Sequence, residues 1–134
     1  MKNNFVHQLR TLPEIFEGNF FCIPDYQRGY AWDEKQIDEL LKDIDHLLLD
    51  TSAVRHYTGT LVLSLNKDQS NQYHIVDGQQ RLTTLVIFLK CISLFADRED
   101  KESIGTKYLK RGDIGNDQFV LKLNLDTNKF FEKV

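Results

Sequence analysis

Residues 80–96 carry apolar side chains around nearly the whole circumference of a helix: Leu82, Leu85, Val86, Ile87, Phe88, Leu89, Ile92, Leu94 and Phe95. A helix without a polar face belongs in a core, so this segment is expected to be the buried centre around which the rest of the chain is arranged. Burying one Leu or Phe stabilises by roughly 1.5–3 kcal/mol, enough for this helix to dominate the core. Thr83, Thr84, Lys90 and Ser93 interrupt the run, which leaves it too short and too polar to cross a bilayer. Residues 1–12 lack the apolar centre of a signal peptide. The expectation is a cytoplasmic protein with no membrane partner.

The flanking patterns set the fold class. Residues 58–65 alternate, with Leu61, Leu63 and Leu65 on one face and Val62 and Ser64 on the other. Residues 66–71 are polar and residues 72–76 are extended again, which predicts a hairpin whose second strand runs into the core helix. Upstream, Asp33 and Gln36 form a capping-box pattern. Ile37, Leu40, Leu41, Ile44, Leu47 and Leu48 then recur at helical spacing, opposite Asp38, Glu39, Lys42, Asp43 and Asp45. A short helix is predicted over residues 13–16, with Pro13 in its first turn and Gly18 at its stop. A short strand follows over residues 20–23, ended by Pro24.

Beyond residue 96 the signal weakens. Residues 97–102 are charged and read as solvated, 104–109 as a short helix and 118–123 as a strand. Residues 126–134 read as the start of a helix with no cap or breaker, which points to the N-terminal piece of a longer protein. The chain is therefore read as a single α/β (α+β) domain over residues 1–134, a small mixed sheet packed against two main helices.

Charge and cysteines exclude some functions. A net charge of -3 gives no support to duplex DNA binding by overall charge, although it leaves room for a local basic patch. Cys22 and Cys91 lie far apart in apolar surroundings, without the spacing of a zinc site or redox pair, and are expected to be buried reduced thiols. His56 near a loop is a weak candidate for a general base, His74 reads as a surface residue on a strand, and no Ser–His–Asp or Cys–His arrangement supports nucleophilic catalysis.

The candidate site is Asp77-Gly78-Gln79-Gln80-Arg81, where the second hairpin strand meets the core helix. The first N–H groups of a helix lack intrahelical partners and, with the positive end of the dipole, attract anions. Gly78 has no side chain to obstruct a ligand. Arg81 in the first turn opposes the dipole by roughly 0.3–1 kcal/mol, a placement that makes sense beside an anion, and its planar fork suits phosphate oxygens. Asp77 could hold magnesium or orient a water. The same residues also read as a capped helix, with Asp77 as N-cap, Gln80 completing a capping box and Arg81 paired with Asp77. From these residues alone the two readings stand level.

A second cluster, Pro24-Asp25-Tyr26-Gln27-Arg28-Gly29-Tyr30-Ala31-Trp32, sets aromatic faces beside polar groups. Tyr26 and Tyr30 are candidates for stacking on a base, and Gln27 and Arg28 for reaching phosphate oxygens. Trp32 is expected to plug the core. Arg28, between aromatics in a loop, has no obvious structural task.

Ile23-Pro24-Asp25-Tyr26-Gln27-Arg28 with Tyr30 and Trp32, then Tyr57-Thr58-Gly59-Thr60, then Val76-Asp77-Gly78-Gln79-Gln80-Arg81-Leu82-Thr83-Thr84, resemble in order and spacing the N-terminal domain of GmrSD-type modification-dependent restriction endonucleases. The likeness covers roughly residues 10–96. It implies a ParB/sulfiredoxin-like fold that binds and hydrolyses a nucleoside triphosphate with Mg2+ and thereby governs cleavage of modified foreign DNA. By that resemblance Gln27, Arg28, Gly78, Gln79, Gln80 and Arg81 handle the nucleotide. Asp77 and Arg81 are the catalytic candidates, Asp77 also the metal ligand, and Tyr26 and Tyr30 the DNA or base contacts. The implied partners are DNA and a nuclease domain or subunit. That nuclease is expected to lie outside this chain, since no histidine follows His74. The alternative is a non-catalytic DNA-binding or modification-sensing module.

Overall fold

The computed structural model describes residues 7–49, 59–68, 71–112 and 118–123. Local capping chemistry starts the helices. α1 (Leu12–Phe16) opens with a closed capping box, in which Thr11 Oγ1 accepts from the Glu14 amide and Glu14 accepts from the Thr11 amide. α2 (Glu34–Leu49) begins where the sequence predicts: the Asp33 amide donates to Gln36 Oε1 and Asp33 Oδ1 accepts from the Lys35 amide, each at 3.0 Å.

Strands β1 (Phe20–Cys22), β2 (Val62–Leu65), β3 (Gln72–Asp77) and β6 (Leu121–Lys122) form a sheet in the order β2-β3-β1-β6. β2 and β3 are the expected antiparallel hairpin, whereas β1 runs parallel to both β3 and β6. Among the described residues the architecture is thus a small mixed sheet with four α-helices. The predicted strand over residues 118–123 is broken at Val120. Its first half, β5 (Gln118–Phe119), pairs with β4 (Lys110–Arg111) in a separate ribbon, and its second half is β6.

One core unites residues of α1, the four-stranded sheet and the helical segments that follow β3. Phe16, Phe21, Ile75, Val120 and Leu121 are almost wholly excluded from solvent, and the Phe16 ring packs 5.1 Å from that of Phe21 and 5.2 Å from that of Tyr108. α3 (Gln79–Phe95) contributes Leu82, Val86 and the buried hydroxyls of Thr83 and Thr84. Its far end departs from expectation: Ile92, Leu94 and Phe95 are exposed, Phe95 by 91%. The helix is apolar all round, but burial is uneven: it reaches Ser93 in the second half, 2% exposed, while the neighbouring apolar side chains face solvent. Cys91 on the same helix is exposed as well, and Cys22 is half-buried at the end of β1, so neither is the fully buried thiol expected.

Residues 97–102 are not merely a solvated connection. Asp97 accepts from the Asp100 amide at 2.9 Å and starts α4 (Arg98–Ile104), which runs on into a π-helical turn (Gly105–Leu109). Arg111 ties that turn to α1. Its guanidinium donates to the carbonyls of Asn19 at 2.7 Å, Thr106 at 2.8 Å and Lys107 at 2.6 Å, and to that of Phe16, while lying over the Phe20 ring. Burial pulls its pKa below the ordinary guanidinium value. No helix among the described residues is long and apolar enough to cross a membrane.

Candidate functional site

Topology gathers the three sequence segments at one edge of the sheet. β1 and β3 are adjacent and parallel, with Cys22 opposite His74, so the chain leaving β1 and the β3–α3 turn emerge on the same side. β2 is antiparallel to β3, with Val62 opposite Asp77, so the residues that enter β2 lie there too. In open sheets, the crevice beyond the C-terminal ends of parallel strands is the usual place for a ligand.

At the β3–α3 junction the helix is capped by backbone conformation, not by the expected box. Asp77 ends β3 and Gly78 is the N-cap, in the left-handed region at φ 93°, with no side-chain hydrogen bond to the first turn. Gly78 is required there for two reasons. Other residues adopt this conformation only with strain, and a β-carbon would stand 2.9 Å from the Thr60 carbonyl oxygen and 3.3 Å from Leu61 Cα. The side of Gly78 that lacks a side chain therefore faces the entry to β2, and not solvent as the sequence suggests.

Gln80 is not part of a cap either. Its Oε1 accepts from the Ala31 amide at 2.7 Å and its Nε2 donates to the Gly29 carbonyl at 2.9 Å. Nearby, the Tyr30 hydroxyl meets Thr84 Oγ1 at 2.8 Å. Tyr30 is thus half-buried on α3, whereas Tyr26 stands 80% exposed in the same loop. Gln27 Nε2 donates to the Val76 carbonyl at 3.3 Å, which carries the start of that loop across to β3.

Arg81 projects from the first turn and is exposed, with its guanidinium carbon 5.9 Å from the centre of the Trp32 ring. Trp32 is half-buried beneath it and is not the core plug expected from its size. On its other flank Arg81 packs against Gly59, whose missing side chain leaves the space the guanidinium occupies. Neither Trp32 nor Gly59 could be read as a neighbour of Arg81 from local spacing, since each lies more than twenty residues away in sequence. His56, Tyr57 and Thr58 lie outside the described residues.

Between the loop and α3 is a narrow cleft lined by Ile23, Arg28, Gly29, Tyr30, Gln79, Gln80, Thr83 and Leu123. Its volume of about 10 Å³ holds no more than one water. Nothing larger fits between its walls as they stand. Arg28 is exposed at that cleft, and Asp77 is exposed where β3 ends. Among the described residues no three His, Cys, Asp or Glu side chains converge on a point where they alone could hold a metal. A single carboxylate such as Asp77 does fit magnesium that brings phosphate oxygens and waters as its other ligands.

The family model of the GmrSD restriction endonuclease N-terminal domain matches residues 11–134, which include every residue of this site. No curated protein matches the chain.

Proposed function

This chain belongs to the GmrSD restriction endonuclease N-terminal domain family, and from that premise we propose that it binds and slowly hydrolyses a nucleoside triphosphate to regulate restriction of modified foreign DNA. The observation that carries the reading is that Arg28 lines the cleft beside Gln79 and Gln80 while Arg81 projects from the first turn of the same helix, α3, whose cap offers no side-chain oxygen to its first amides. Two guanidinium groups and a helix N-terminus form a cationic surface suited to phosphates. The triphosphate lies across the cleft mouth, with Arg28 and Arg81 on its oxygens and Gln79 beside them. Asp77 is the carboxylate that would hold the magnesium accompanying the nucleotide, whose charge neutralises phosphate oxygens, or would orient the attacking water. Turnover then rests on positioning and electrostatics, with no covalent intermediate on the protein.

The deciding experiment measures thermal shift and phosphate release with a panel of nucleoside triphosphates and magnesium, on the wild type, Arg81→Ala and Arg81→Lys. Loss of one charged hydrogen-bonding partner removes roughly 1.5–3 kcal/mol, so the alanine variant should bind about ten- to a hundredfold more weakly. Lysine should recover only part of this, because a point charge lacks the fork. No shift with any nucleotide at millimolar concentration refutes the proposal.

The exposed ring of Tyr26 beside Arg28 favours a second reading, a DNA-binding module without catalysis. It predicts binding to a modified oligonucleotide that weakens with salt, and no phosphate release.

A further inference from the structure

Resting on the nucleotide reading, we propose that Gln80 is a positioning residue whose carboxamide clips residues 29–32 to α3, aiming Arg28 and keeping Trp32 beneath Arg81. Both ends of the carboxamide are engaged, and only one orientation is allowed. The Gly29 carbonyl can only accept and the Ala31 amide can only donate, so Nε2 faces the first and Oε1 the second. A carbonyl and an amide two residues apart are thereby satisfied by one side chain, as a neighbouring strand would satisfy them.

The residue between them is fixed by the same helix. Thr84 Oγ1 donates to the Gln80 carbonyl at 2.8 Å, which uses its one proton, so the Tyr30 hydroxyl is the donor in the 2.8 Å contact to that oxygen. Side chain and main chain of Gln80 therefore both end on residues 29–31. The loop has no helix or strand of its own, and these long-range bonds give it a defined shape on α3. A ligand meeting this surface finds Arg28 and Trp32 already in place and spends little binding energy on ordering them. Gln79, one residue earlier, lines the cleft without making the clip.

Trp32 is the sole tryptophan, so its fluorescence reports on this loop alone. Acrylamide quenching is measured without nucleotide on the wild type, Gln80→Met, Gln80→Glu and Gln79→Met, followed by titration with magnesium and ATP. Gln80→Met keeps the length and removes both polar ends. It should raise the quenching constant at least about twofold and weaken ATP roughly tenfold, since the loop must then be ordered on binding. Gln80→Glu keeps the acceptor for Ala31 but sets a carboxylate against the Gly29 carbonyl, and should move both readouts the same way. Gln79→Met should leave the quenching constant at the wild-type value.

Unchanged quenching in both Gln80 variants overturns the clip. Raised quenching with ATP affinity equal to or tighter than wild type overturns the positioning role. Should the wild type bind no ATP, the nucleotide reading fails, and Trp32 quenching by itself still decides for or against the clip. A Gln80→Met protein without a cooperative melt passes both readouts to Gln80→Glu.

Discussion

The guanidinium of Arg81 fills the space beside Gly59: a β-carbon at that glycine would stand 1.9 Å from Nη1. Two segments that the sequence separates by some twenty residues are thus fitted to each other, and the fit is reciprocal, since Gly78 makes the matching room for Thr60 and Leu61. The two glycines differ in what a methyl group would meet. At Gly59 it meets the end of a flexible side chain, and at Gly78 it meets backbone.

From this difference we expect Gly59→Ala to displace Arg81 and weaken phosphate-ligand binding, with a stability loss limited to the strain of φ 116°, roughly 1–3 kcal/mol. Gly78→Ala adds a backbone clash to similar strain and should cost more than Gly59→Ala. Urea denaturation of both variants checks the order. Equal losses would mean that the two glycines do the same job.

Buried and exposed apolar residues of α3 should respond differently to truncation. Leu82 is 4% exposed and belongs to the core cluster, so Leu82→Ala is expected to cost about 2–5 kcal/mol. Phe95 is 91% exposed, and Phe95→Ala should change stability by less than about 0.5 kcal/mol. A large loss at Phe95 would show that the end of the helix is covered in solution.

What could be read from the sequence was local. The start of α2 at Asp33, the β2–β3 hairpin and the strand–glycine–helix junction depend on neighbours within a few residues, and each formed where its pattern lies. The Asp33 carboxylate nevertheless accepts from Lys35, and only Gln36 makes its half of the expected box. The site's internal wiring could not be read in this way. Gln80 occupies the correct place for a capping box with Asp77, yet its carboxamide bonds Gly29 and Ala31, about fifty residues upstream. No rule of spacing distinguishes those outcomes, because the competing loop arrives only through the parallel pairing of β1 with β3. The exposure of Phe95 was hidden for a related reason. Periodicity shows that a helix is apolar on all sides, but not which of those sides the rest of the fold covers.

Arg111 is the residue whose weight the sequence concealed most completely. Four carbonyls, from Phe16, Asn19, Thr106 and Lys107, share its guanidinium, joining the end of α1 to the π-helical turn. Arg111→Met would leave those acceptors without their donor in a partly buried setting, at an expected cost of about 1.5–3 kcal/mol. Lysine should restore little, since one ammonium cannot span four carbonyls. The denaturant midpoint tests this, and a loss below about 1 kcal/mol would reduce Arg111 to an ordinary surface arginine.

The two thiols should be separable by reactivity and by pH. Burial, with a further push from Asp25 against an opposing pull from Lys122, raises the pKa of Cys22 above 9.0, and Cys91 is exposed. A thiol reagent near neutral pH should therefore modify Cys91 quickly and Cys22 slowly, with the fast phase absent in Cys91→Ser. Because the folded state favours the neutral thiol of Cys22, its contribution to stability is complete below the unfolded pKa and is lost as pH rises through the higher folded value. The wild type should thus lose more stability than Cys22→Ala as the pH is raised above 9.0. Buried Tyr108, whose pKa is also raised, contributes equally to both proteins and cancels in the comparison. Parallel pH profiles for the two proteins would show that the Cys22 thiol ionises as freely in the fold as in the unfolded chain.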